Sequence, residues 1–268
     1  MTSTDHTVTQ AWPTCGLGAW AAAWVAGRCS PDDVADTLAG FAGLHLIDDH
    51  AALPTTGIDA VPTDGTLGLL AVLRRARNLS VRLPDAGAPQ GLPPDPATAA
   101  ALTAGETLLV DDGAPTPLAL IPTEHDGSCR WSVYRYGVPV PVTGTASAGE
   151  IEYELREAVS ETAQLMATLG GRAGAHRADL RGTISTQTQR HLVDLPPHDD
   201  ARATRLLGTA AQVEAIVSVA TLGGAGFGAT AGQWETGDHG LRRLVRLAHA
   251  ARAAAVNRVI GEFLPGGW

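Results

Sequence analysis

Apolar residues recur at helical spacing through the last 120 residues of the chain. Ile151, Leu155, Val159, Thr162, Leu165, Met166 and Leu169 form one stripe, opened by the capping box Ser147-x-x-Glu150 and closed by Gly170-Gly171. A second stripe is Ala203, Leu206, Leu207, Ala210, Val213, Val217 and Ala220, starting from Asp199 or Asp200. A glycine segment at 223–232 interrupts it. A last helix, Leu241–Phe263, carries Leu241, Leu244, Val245, Ala248, Val256, Ile260 and Phe263 on one face, which sets Arg242, Arg243, Arg246, Arg252 and Arg258 largely off that face. Residues 172–197 read either as a helix fraying through Thr183–Gln189 or as a loop, and Pro196-Pro197 ends them. Three such stripes predict a bundle whose helices bury them against one another or against a sheet.

The first half reads differently. An Ala/Trp-rich helix over Ala11–Arg28 ends at Gly27, and Ser30-Pro31-Asp32-Asp33 opens a second helix running to about Gly40. A polar, glycine-containing link extends to Asp64, which can cap a helix over Thr66–Arg77. Leu79–Leu83 is a short alternating strand. A Pro/Gly loop covers 84–96 and a short alanine helix covers 97–104. Glu106–Val110, Pro117–Pro122 and Cys129–Tyr136 are further strands, with Asp126-Gly127 as a hairpin turn. Prolines at 115, 117, 122, 139 and 141 keep these strands short or at edges.

The fold class is therefore α+β: N-terminal helices with a small, mostly antiparallel sheet, then a C-terminal helical bundle. The division falls at 1–144 and 145–268, or the two parts form one continuous domain.

Composition adds exclusions. All 19 basic residues are arginine. Without lysine there is no Schiff-base chemistry and no P-loop or kinase-type lysine. A net charge of −9 argues against nucleic acid as a partner. Residues 1–140 hold 15 acids and 7 arginines, against 13 and 12 in the remainder. The arginines of the last helix are thus expected to face the acidic first half.

Cys15, Cys29 and Cys129 form no CxxC pair, and the start MTSTDHTVTQ lacks the basic and apolar regions of a secretory signal. The expectation is a cytoplasmic protein without a disulfide framework. Ala215–Trp234 is uncharged and has Gly224, Gly228 and Gly232 at four-residue spacing, but its glycines and hydroxyls dilute it, so no membrane partner is expected.

Four features can carry chemistry. Cys15, in Thr14-Cys15-Gly16-Leu17-Gly18-Ala19-Trp20, stands at a helix N-terminus, where backbone amides lower a thiol's pKa. This short run is similar to papain-like cysteine peptidases, which also need a downstream histidine on a strand. His125 sits in a turn instead. Gly224-Ala225-Gly226-Phe227-Gly228-Ala229 fits G-x-G-x-x-A, but too little chain follows to complete a dinucleotide fold, and no cofactor is expected. His45, Asp48, Asp49 and His50 gather imidazoles and carboxylates without a recognised metal spacing; His45, Asp49 and His50 are the metal candidates, with further groups at His198–Asp200 and Glu235–His239. Arg242, Arg243 and Arg246 are the candidate contacts for an anion or a partner.

The pattern Ala19-Trp20-Ala21-Ala22-Ala23-Trp24-x-Ala26-Gly27-Arg28-x-Ser30-Pro31-Asp32-Asp33 resembles the opening of a group of uncharacterised actinobacterial proteins. Val81-Arg82-Leu83-Pro84, Gly91-Leu92-Pro93 and Ala253-Ala254-Ala255-Val256-Asn257 are similar to it as well. The resemblance implies a bacterial, cytosolic protein and supplies no site residue. The reading that follows is a non-catalytic binding or scaffold protein, self-associating as a homo-oligomer through Ala/Gly-rich helices. The alternative is a hydrolase-type enzyme using Cys15 or the His45–His50 cluster.

Overall fold

The chain enters its first helix, α1 (Pro13–Val25), through a left-handed backbone turn at Trp12, with φ 69° and ψ 56°. The helix closes at Gly27, whose φ is 71°. There the Gly27 amide donates to the Trp24 carbonyl and the Arg28 amide to the Ala23 carbonyl, both at 2.8 Å. This paired closure satisfies two carbonyls that a helix end leaves open. At α2 (Pro31–Ala39) the Ser30 hydroxyl accepts the Asp33 amide while the Asp33 carboxylate accepts the Ser30 amide. Bonds from Ser30 hold the Asp33 carboxyl below its ordinary range.

The computed structural model describes residues 11–55, 60–62, 65–141, 148–169, 177–222 and 231–265, with the backbone alone for 148, 161–169, 177–181, 222 and 231–238. The elements that follow are β1 (Leu44–Asp49), α3 (Gly65–Leu73), β2 (Asn78–Arg82), α4 (Pro96–Ala104), β3 (Thr107–Asp111), β4 (Leu118–His125) and β5 (Ser128–Arg135). Then come α5 (Ala148–Leu169), α6 (Arg177–His191), α7 (Ala201–Leu222) and α8 (Ala231–Phe263). The expected α+β build is what is found. Asp64, Ser147, Gly170-Gly171 and the run Gly224–Ala229 lie outside the described residues.

The five strands lie in the order β1-β5-β4-β3-β2. Only β1 and β5 run parallel; the other three pairings are antiparallel. β4 and β5 turn at Asp126-Gly127, with φ 47° and 75°, the two positive angles that a two-residue hairpin requires.

β1 corrects the expectation of an irregular link over 40–64. Its polarity is inverted: Leu44 is exposed and His45 is buried. His45 donates from Nε2 to the Leu38 carbonyl (2.9 Å) and accepts at Nδ1 the indole N–H of Trp131 (3.0 Å), which fixes a neutral ring. α3 then packs backbone to backbone on this strand. A Cβ at Gly65 would stand 2.0 Å from the His45 carbonyl oxygen, so only glycine fits.

One face of the sheet meets α1 and α8. Leu17, Val81, Leu108, Leu120, Trp131, Ala210 and Val256 belong to one core that draws on both halves of the chain. The other face is covered by α4, where Ala97, Ala101, Leu109, Ala119, Ile121 and Tyr136 pack together. The open edge of β2 is closed by side-chain amides. Asn257 of α8 accepts the Val81 amide (2.7 Å) and donates to the Val81 carbonyl (2.9 Å). Gln90 does the same for Leu83, at 2.9 and 2.7 Å. An edge so capped cannot recruit another strand.

The stretch left open at 172–197 contains α6, and α8 starts ten residues before the expected Leu241. Among the described residues no helix is long and apolar enough to cross a membrane.

Candidate functional site

A pocket of about 600 Å³ opens where the start of α1 meets the end of α4 and the sheet. Trp12, Pro13, Phe41, Ala100, Ala104, Ile121 and Pro122 make its apolar walls. Glu106, Thr103, Thr123, Glu124, Ser132 and Cys129 supply its polar and thiol groups.

Glu106 leads into β3 and is only 7% exposed. Its Oε2 accepts the Thr14 amide (2.9 Å) and the Thr14 hydroxyl (2.5 Å). A carboxylate distant in sequence therefore caps α1, whose N-cap residue Trp12 offers no side-chain acceptor. Oε1 makes no hydrogen bond among the described residues and is not sealed from the surface. Burial pushes the Glu106 carboxyl up to about 7, against the Thr14 bonds and the charge of Arg252. Cys129, also on the pocket wall, is pushed up to about 12 by burial.

Behind Trp12 lies a buried polar cluster. The guanidinium of Arg252 sits 4.8 Å from the Trp12 ring centre, and the His249 ring meets Trp12 edge-on at 4.9 Å. Arg252, fully buried on α8, donates to Glu214 of α7 (2.7 Å) and to the carbonyl of His191, the last residue of α6 (2.9 Å). His191 Nδ1 stands 3.1 Å from Glu214 Oε2 but is not aligned for a hydrogen bond. Burial pulls His249 down, with Glu214 opposing it and Arg252 reinforcing it. Trp12 Nε1, Arg252 Nε, Glu214 Oε1 and the Nδ1 atoms of His191 and His249 are enclosed without hydrogen-bond partners. Among the described residues, five of the seven buried side-chain atoms without a partner lie in this cluster.

Two family models match the chain. That of the Rv1486c-like protein N-terminal domain covers residues 14–145, and that of its C-terminal domain covers 149–254. The chain belongs to the Rv1486c-like family. Rv1486c, an uncharacterised protein of Mycobacterium tuberculosis strain H37Rv, is 30% identical over 94% of this chain and 99% of its own length. The uncharacterised protein ML1804 of Mycobacterium leprae is 28% identical over the same shares. No solved structure matches. The likeness to uncharacterised actinobacterial proteins is thus borne out, and the function of this Rv1486c-like chain is unknown.

The residues singled out in the sequence fall as follows. Cys15 is at the N-terminus of α1, as expected, but fully buried. Loss of water drives its thiol up, and this outweighs the lowering expected from the helix amides. His45 is bound to Trp131 and Leu38. Asp49 accepts the amides of Ala51 and Leu53, both at 2.8 Å, and so shapes the turn after β1. His50 stacks on Tyr134 at 4.4 Å. The three do not converge, and among the described residues no group of three His, Cys, Asp or Glu is placed to hold a metal ion. Asp200 pairs with Arg258 and caps α7.

Arg242 is exposed on α8, and Arg243 and Arg246 are half-buried. Two arginines of that helix overturn the expected arrangement. Arg252 is on the buried face, and both it and Arg258 pair with acids of the second half, Glu214 and Asp200, rather than the first. In the alanine-rich helices α1 and α8, Ala19, Ala21, Ala22, Ala248 and Ala251 are packed in the chain's own core. Sequence reasoning missed Glu106 and Trp12. The signal for Glu106 was a lone acid at the start of an apolar strand.

Proposed function

We propose that this Rv1486c-like chain is a non-catalytic binding protein whose ligand is a small molecule with an apolar body and a hydrogen-bond-donating head. One observation carries the reading. Glu106 is a nearly buried carboxyl at the wall of a pocket with mostly apolar surroundings, and one of its oxygens is uncommitted. The volume suits a compact organic molecule. As a carboxylate, Glu106 accepts at Oε1 a hydrogen bond from an amine, amide or hydroxyl, and a cationic head would hold it ionised.

Burial of Cys15 supports binding over nucleophilic catalysis. The three free cysteines fit a reducing compartment, and on that ground we place the protein in the cytoplasm.

The test is a nuclear magnetic resonance titration with a panel of small aromatic and alkyl amines and alcohols. The Trp12 indole and Ala104 amide signals of the wild type should shift saturably with at least one of them. Ala104→Trp, which fills the pocket, should abolish the response, and Glu106→Gln should weaken it. A panel that moves neither signal, or an unchanged response in the filled variant, overturns the reading.

A further inference from the structure

A second arginine is buried under α4, and its surroundings differ from those of Arg252. Arg82 ends β2 and pairs with Thr107 of β3, so its side chain shares the sheet face with Leu109 and Tyr136. It is 5% exposed and does not line the pocket beside Glu106. Its Nη1 donates to the Ser80 hydroxyl and, at 3.2 Å, to the Val81 carbonyl. Nε is enclosed without a partner. Nη2 has none either among the described residues and is not sealed off.

No carboxylate lies within ion-pair distance of Arg82 among the described residues. The nearest acid in sequence on that side, Asp95, is committed, with Oδ1 to the Ala97 amide and Oδ2 to the Gly137 amide. Burial raises the Tyr136 phenol above its ordinary range, so this neighbour stays protonated and offers Arg82 no negative charge at neutral pH. Its hydroxyl meets Thr98 Oγ1 at 3.2 Å, and Thr98 itself donates to the Pro93 carbonyl, so the phenol proton points to Thr98.

An arginine cannot shed its charge to fit a dry site. A buried cation without a counter-ion is costly, and proteins pair such groups. Nε–H and the adjacent Nη2–H form the side edge of the guanidinium, two parallel donors spaced to meet the two oxygens of a carboxylate or phosphate. That is the edge left uncommitted here. The other edge is anchored to Ser80 and Val81, which fixes the plane of the group.

We propose that Arg82 is an oxyanion-binding residue: Nη2, the donor of its uncommitted edge that reaches the surface, receives a carboxylate or phosphate oxygen from a ligand outside the chain. The site is distinct from the Glu106 pocket and does not depend on it.

The experiment compares thermal unfolding of the wild type and Arg82→Met in sodium chloride, acetate and phosphate at equal ionic strength. Phosphate stabilises many proteins without binding them, so the increment over chloride is read as the difference between the two proteins. A wild-type midpoint raised by roughly 2–5 °C more than that of the variant is expected. The acetate and phosphate arms say which oxyanion is preferred. Should Arg82→Met fail to fold, the Arg82 Nε–H resonance of the wild type is followed instead. It should shift saturably with acetate or phosphate and not with chloride. Equal increments in both proteins, or an Nε–H signal that ignores both anions, overturns the proposal.

Discussion

Two buried arginines divide this molecule into regions of opposite character. Arg252, where α1, α6, α7 and α8 converge, has a carboxylate, a helix-terminal carbonyl and an aromatic face arranged around it. Arg82, between the sheet and α4, has a hydroxyl and a carbonyl on one edge and, among the described residues, no acid. The first cation is neutralised from within and ties four helices together. The second leaves its charge for something else to meet. Burial of a cation is therefore not in itself a sign of function; the presence or absence of an internal counter-ion separates the two cases.

Breaking the pair in the first region should have the largest effect. Glu214→Gln leaves Arg252 charged, buried and unpaired, and should cost about 3–5 kcal/mol in chemical denaturation. Adding Arg252→Met should restore much of this, since both charges are then gone. A loss under about 1 kcal/mol for Glu214→Gln would erase the contrast.

Next is the pH dependence of Glu106, which lies between the regions and feels Arg252. Its carboxyl ionises near 4.5 when unfolded and about 7 when folded. The unfolded chain therefore gives up this proton first. Its contribution to stability is full below pH 4.5, falls as pH rises, and is gone above pH 7. The change amounts to about 3 kcal/mol. Glu106→Gln should lack this fall, so the variant gains on the wild type between pH 4.5 and 7. Parallel stability–pH curves would contradict the assignment.

Asn257 joins the two regions, because it sits on α8 five residues past Arg252 and caps the strand that ends in Arg82. Asn257→Ala frees both polar groups of Val81 and should cost about 1–3 kcal/mol, read by denaturation. The smallest effect is expected from Arg82→Met in chloride. It should lie within about 1 kcal/mol of the wild type or be more stable, since no ion pair is lost. A loss of several kcal/mol would make Arg82 a structural group like Arg252.

Much of the fold was legible because its signals are local. The Ser30–Asp33 cap, the stop at Gly27 and the Asp126-Gly127 turn each depend on a few adjacent residues and stand as read. β1 was not legible, since its buried member is a histidine made acceptable by Trp131, 86 positions away. The site was hardly legible at all. Cys15 looked like an activated thiol because helix amides are a local effect, whereas its burial comes from the whole core. Arg252 was placed off the apolar face because periodicity treats every arginine as polar surface, while Glu214 and Trp12 make its burial tolerable.

By itself, the sequence determined the helical second half, the short hairpin-rich sheet, the absence of lysine chemistry and the ends of several elements. These follow from side-chain period, capping and backbone freedom, which act over a few residues. Tertiary structure alone decided which polar groups went inside and what they met there. Glu106 became the cap of α1, Arg252 the centre of a helix junction, and Arg82 a cation with no acid paired to it among the described residues. Such outcomes depend on desolvation and on charges brought together from distant positions, and neither quantity exists until the chain has folded.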